Sequence, residues 1–152
     1  MRLFSKSKWI WNSHEAIADS YVDFCDTVRY CGGTVQIHLS CDTDYTLYVN
    51  GAYVASGQYG DFEHYKIYDT PDLTDFLHIG ENTVDCLVYY CGVSTQRYIP
   101  APAGLIYEIL CNGEIIGYSN ETVPSRFDPC YAQGAKKISL PPDIANSFWK
   151  IF

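Results

Sequence analysis

Apolar and polar residues alternate with a period of two along most of this chain, and helical spacing is nearly absent. Residues 34–41 set Val35, Ile37, Leu39 and Cys41 on one face and Thr34, Gln36, His38 and Ser40 on the other. Tyr45, Leu47 and Val49 continue the pattern up to Asn50-Gly51. That dipeptide tolerates positive φ at both positions, so it predicts a tight hairpin returning through residues 52–57. A second cycle runs through Val84, Cys86, Val88 and Tyr90, then Leu105, Tyr107, Ile109 and Cys111, then Asn112-Gly113 into residues 114–118. Residues 21–30 read as a further strand and 64–68 as a short one. Gly32-Gly33 reads as a hairpin turn. Pro71 ahead and Gly80 behind frame one short helical turn near 72–77.

Short strands, turn residues between them and one-sided apolar faces predict an all-β domain, an antiparallel β-sandwich. No linker divides the chain. Residues 1–136 are expected to form the sandwich. Residues 137–152 are expected to add a strand at 138–140 and a tail, and their ending on Phe148, Trp149, Ile151 and Phe152 suggests either the stub of a longer chain or a cap on the sandwich.

Composition narrows the function. The 152 residues carry a net charge of −8, which disfavours nucleic acid and anionic membrane surfaces as partners. No apolar run is long enough to span a bilayer, and the start lacks the apolar core of a signal peptide. The seven cysteines are odd in number and form no CxxC pair, so reduced thiols and a cytoplasmic location are expected. The four histidines are scattered without HxH or HExxH spacing, which argues against zinc. There is no GxSxG elbow and no phosphate loop.

Asp42 and Asp44, two apart, would share a strand face about 6–7 Å from each other. Glycoside hydrolysis needs two such groups in a cleft, but the same spacing is common in turns, and no catalytic residue is assigned. Asp61, Glu63 and His64 are the densest potential metal ligands, and the oxygens of Asp61 and Glu63 are the expected ligands of any structural Ca2+. The loop Gln58, Tyr59, Asp61, Glu63, His64 and Tyr65 combines rings with amide and carboxyl groups, as a sugar-binding surface requires. Arg97 and Tyr98, where the proline-rich loop begins, are expected to face it.

One segment is more specific than its strand pattern. Asp42-x-x-Tyr45-x-Leu47-x-Val49-Asn50-Gly51, then Gly57, Tyr68-Asp69, Asp72-Leu73-Thr74, Leu77 and Gly80-Glu81-Asn82, resembles the jelly-roll, galactose-binding-like domains that precede catalytic domains in glycoside hydrolases. Trp9-Ile10-Trp11, Tyr21-x-x-Phe24 and Pro102-Ala103-Gly104-Leu105 leading to Asn112-Gly113 are similar to the amino-terminal domain of bacterial α-L-rhamnosidases. The resemblance covers roughly residues 8–131. Where that family has an arginine after the first aromatic strand, this chain has Cys25-Asp26. The resemblance implies a non-catalytic accessory domain, structural or carbohydrate-binding. It also implies a downstream catalytic domain and an L-rhamnose-containing glycan as partners, and domains of this kind often hold Ca2+. The alternative is a free-standing lectin-like carbohydrate-binding protein.

Overall fold

A computed structural model describes residues 3–12, 16–58, 60–95 and 98–132. The expected strand at 138–140 and the terminal aromatic cluster lie outside them. Eight strands run in the order β1 (Ser20–Tyr30), β2 (Val35–Asp42), β3 (Asp44–Val49), β4 (Ala52–Gly57), β5 (Gly80–Tyr90), β6 (Gly104–Cys111), β7 (Glu114–Tyr118) and β8 (Ser125–Phe127). A single 3-10 turn, Thr74–Phe76, answers the expected helical turn. The strands form two antiparallel sheets, one in the order β4-β3-β5-β1-β8 and one in the order β2-β6-β7. The all-β, sandwich-type architecture read from the alternation is the one observed.

The inward faces are the predicted ones. Val35, Ile37, Leu39 and Cys41 of β2, Tyr45, Leu47 and Val49 of β3, and Val84, Cys86 and Val88 of β5 belong to one buried cluster with Val22, Phe24 and Ile109. Each fully buried aliphatic side chain contributes about 1.5–3 kcal/mol relative to exposure. Both Asn-Gly pairs turn as expected. Asn50 and Gly51 have φ of 51° and 78°, and Asn112 and Gly113 have 48° and 87°, the signature of the two-residue turn whose twist matches its strands.

Three local expectations are corrected. Gly32-Gly33 is not a hairpin turn, because β1 lies in the five-stranded sheet and β2 in the three-stranded one; the pair carries the chain between layers. Residues 64–68 form no strand. Phe62 and Tyr65 close a tight turn instead, and the Asp61 carboxylate takes the Ile67 N–H (3.0 Å) that a strand ladder would need. The extended piece comes later. The Leu39 N–H donates to the Asp69 carbonyl, Ile37 N–H to that of Pro71, and the Leu73 N–H to that of Val35, so residues 69–73 cover the outer edge of β2. Asp42 and Asp44 share no strand face. Asp42 ends β2 in one sheet and Asp44 opens β3 in the other, the first buried and the second exposed.

Strand β6 departs from simple alternation in an informative way. Its outward residues Ile106, Glu108 and Leu110 are buried along with its inward ones. An amino-terminal strap lies over this outer face. The buried Glu108 carboxylate accepts from the backbone N–H of Lys6 (2.7 Å) and of Ser7 (3.3 Å), and the Lys8 N–H donates to the Ser119 carbonyl at 2.9 Å. Ile10 then exchanges backbone bonds with Leu105 at 2.9 and 3.0 Å. Trp9 reaches down onto Gly104, where an added Cβ would stand 2.8 Å from the indole ring.

Candidate functional site

The predicted sugar-binding loop has two halves with different roles. Its base turns inward. The Gln58 side chain accepts from the Cys41 N–H (2.9 Å) and donates to Asp61 (3.0 Å), while Asp61 also takes the Lys66 ammonium at 2.8 Å. Lys66 donates equally to Asp42 at 2.7 Å. Tyr98 is buried and its hydroxyl donates to the other oxygen of Asp42. Gln58, Asp61 and Tyr98 therefore meet in one network centred on Lys66, which joins the end of β2 to the loops on either side of it. The tip of the loop is different: Phe62, Glu63, His64 and Tyr65 all face solvent, with the Phe62 and His64 rings 5.8 Å apart. Tyr59 and Arg97 lie outside the described residues.

The electrostatics follow from burial. The Asp42 and Asp61 side chains are only 3% and 6% exposed, and Lys66 is 19% exposed. Burial by itself pushes the Lys66 pKa down, but its hydrogen bonds and charge pairing with the two aspartates outweigh it and hold the ammonium above the ordinary lysine value. Burial, then the bond to Asp42, pushes the Tyr98 phenol up, so it remains a donor. Neither aspartate is open to a substrate, and both are paired with the same cation. That is a structural clasp, not an acid–base pair flanking a scissile bond.

The donor set does not fit Ca2+. Asp61 accepts from Lys66, Gln58 and the Ile67 N–H, so a cationic side chain already stands at its oxygen, and Glu63 is exposed at the loop tip. Among the described residues no three His, Cys, Asp or Glu side chains converge in a way that could hold a metal.

A second feature was not anticipated. Beneath the strap is an open cleft of about 330 Å³ lined by Phe4, Trp9, Ser40, Lys66, Tyr68 and Ile106, among others. Phe4 and Tyr68 meet edge to face at 6.0 Å, and the His38 ring lies 5.8 Å from that of Tyr68. Trp9 and Tyr68 remain 46% and 45% exposed. The sequence held one clue to this neighbourhood: Lys66 is the only lysine or arginine between Arg29 and Arg97. A lone cation in an acidic stretch tends to have a specific anionic partner. Nothing local signalled the cleft itself, whose walls come from chain segments far apart.

No family model matches the chain, and no curated protein matches it by sequence. Solved structures do. A GH78 family rhamnosidase of Bacillus sp. GL1 is 27% identical with a TM-score of 0.75, over 80% of this chain and 13% of that enzyme. The α-L-rhamnosidase of Streptomyces avermitilis, crystallised with L-rhamnose, has the same fold over 81% of this chain and 12% of its own, at 22% identity and a TM-score of 0.62. A lectin from Pleurotus ostreatus, in complex with GalNAc, is 28% identical with a TM-score of 0.55, over 83% of this chain and 34% of the lectin. The resemblance drawn from the sequence motifs is thus found in three dimensions: over 80–83% of its length the chain is similar to a domain-sized portion, 12–17%, of α-L-rhamnosidases.

Proposed function

We propose that this chain is a non-catalytic carbohydrate-recognition module that accompanies an α-L-rhamnosidase-like catalytic domain. The observation that carries this reading is the coverage: 80% of this chain against 13% of the Bacillus enzyme. The chemistry supports it. Hydrolysis of a glycosidic bond needs two accessible carboxyl groups flanking the sugar. Asp42 and Asp61, the two carboxylates of the Lys66 network, are instead buried on one ammonium. Half-exposed aromatic rings are what a module that holds sugar needs, since their faces stack on pyranose C–H groups. The likeness to the Pleurotus lectin favours a second reading, a free-standing lectin.

The test uses the purified chain alone. It is expected to release no chromophore from an aryl α-L-rhamnoside above the buffer rate. It is expected to bind monosaccharides at millimolar affinity, seen as fast-exchange shifts in its amide NMR spectrum. Enzymatic turnover of the glycoside would overturn the reading, and so would the absence of any shift across a panel of neutral and acidic sugars.

A further inference from the structure

We propose that the cleft beneath the amino-terminal strap is the sugar-binding site, and that it takes one neutral pyranose ring. The inference rests on the function proposed above but locates it away from the loop tip, where the sequence pointed.

Size comes first. About 330 Å³ lies at the lower end of the range for small-molecule sites, enough for one ring and not for an oligosaccharide. Shape is next. Three aromatic side chains, Phe4, Trp9 and Tyr68, line one small space above an aliphatic floor at Ile106. Each is held in place before any ligand arrives. The Trp9 indole lies on Gly104, whose missing Cβ is what allows the contact. Tyr68 contacts the rings of both Phe4 and His38. The strap that delivers Phe4 and Trp9 is pinned by Glu108. Fixed rings lose little rotamer freedom on binding, so their stacking energy is retained.

Polarity completes the match. An ammonium has three N–H donors. Lys66 gives one to Asp42 and one to Asp61, which leaves a third for a hydroxyl in the cleft it lines. Charge selects against acids. Lys66 faces two carboxylates, so the cluster is net negative, and the whole chain carries −8. A uronate would meet repulsion that a neutral sugar does not. The loop tip offers rings too, but Phe62, His64 and Tyr65 are exposed side chains on a tight turn.

The experiment is an amide and indole NMR titration of the full chain with methyl α-L-rhamnoside, methyl β-D-galactoside and galacturonate. The expected result is a shift of the Trp9 indole resonance and of amides near 66–68 with at least one neutral glycoside, and weaker binding of galacturonate. Tyr68→Ala should weaken the neutral sugar about tenfold, and a Phe62→Ala/Tyr65→Ala variant should bind as the parent does. The wild-type shift map needs no variant and stands even if Tyr68→Ala fails to fold. Shifts confined to 60–65, or binding unchanged in a folded Tyr68→Ala protein, overturn this inference and leave the proposed function standing. Galacturonate binding as tight as the neutral sugars overturns it as well. Silence from every sugar overturns both.

Discussion

Lys66 is the residue on which the loop between β4 and β5 depends. Its ammonium pairs with two carboxylates that are nearly closed to water, so the three groups are stable together and costly apart. Lys66→Met should therefore destabilise the protein by about 3–5 kcal/mol, the usual cost of leaving buried charges without their partner. Asp61→Asn should cost less, because Lys66 keeps Asp42. Urea denaturation at neutral pH reads both, and a Lys66→Met protein as stable as the parent would refute the clasp. The pH dependence has a definite sign. The Lys66 pKa is raised above 10.5 in the folded state. Its contribution is therefore fully present below that value and is lost as pH climbs through the higher, folded pKa. The same residue explains why Gln58 and Asp61, which look like sugar-facing groups in the sequence, are spent inside the protein: composition indicates polar atoms, not which of them an ammonium will claim.

At the scale of elements, the two Asn-Gly hairpins are alike in sequence and in φ but not in what they anchor. The Asn50 amide donates to Asn82 at 2.8 Å and to the Phe76 carbonyl at 3.0 Å, and its oxygen accepts the Thr83 N–H at 3.1 Å. Buried Asn82 in turn accepts the His78 N–H at 2.9 Å and donates to the carbonyls of His78 and Gly80 at 2.8 and 3.0 Å. The β3–β4 turn, the 3-10 segment and the start of β5 are one clasp. Among the described residues the Asn112 side chain bonds just the Thr34 N–H, which it accepts at 2.9 Å. Asn82→Ala should accordingly cost about 3 kcal/mol through stranded backbone groups. Asn112→Ala should cost about 1 kcal/mol, for a left-handed position given to a residue that resists it. The two denaturation midpoints test the order, and equal losses would count against it. Strands β1 to β7 were legible because nearly all own a run of alternation or an Asn-Gly turn. Strand β8 was not: three residues after Pro124 carry no pattern, and its pairing with Val22–Phe24 is set by β1. Nor was the sheet assignment, since Gly32-Gly33 says only that the chain bends, not which layer it enters. The cleft was illegible for a related reason. Phe4, Trp9 and Tyr68 meet only after the strap has crossed β6.

The whole molecule is held together by how often the chain changes layers. It passes from the five-stranded sheet to the three-stranded one at β1–β2, returns at β2–β3, crosses again at β5–β6 and returns at β7–β8. Neither sheet can complete itself without the other. The longest ladders pair remote segments, Ser20 with Tyr90 across β1–β5 and Val35 with Cys111 across β2–β6. Inward residues from both ladders belong to the same buried cluster. Opening one sheet therefore strips the apolar face of the other, and subglobal unfolding of the three-stranded sheet gains little chain entropy for the contacts it forfeits. Native-state hydrogen exchange should report this directly. Amides at the centres of β1, β5, β2 and β6 are expected to exchange only through global opening, with one free energy and one denaturant dependence. The strap amides of Lys6 and Ser7, held by Glu108 alone, should open at lower free energy. If β2 and β6 exchange measurably earlier than β1 and β5, the sheets are separable units and the argument from layer crossings fails.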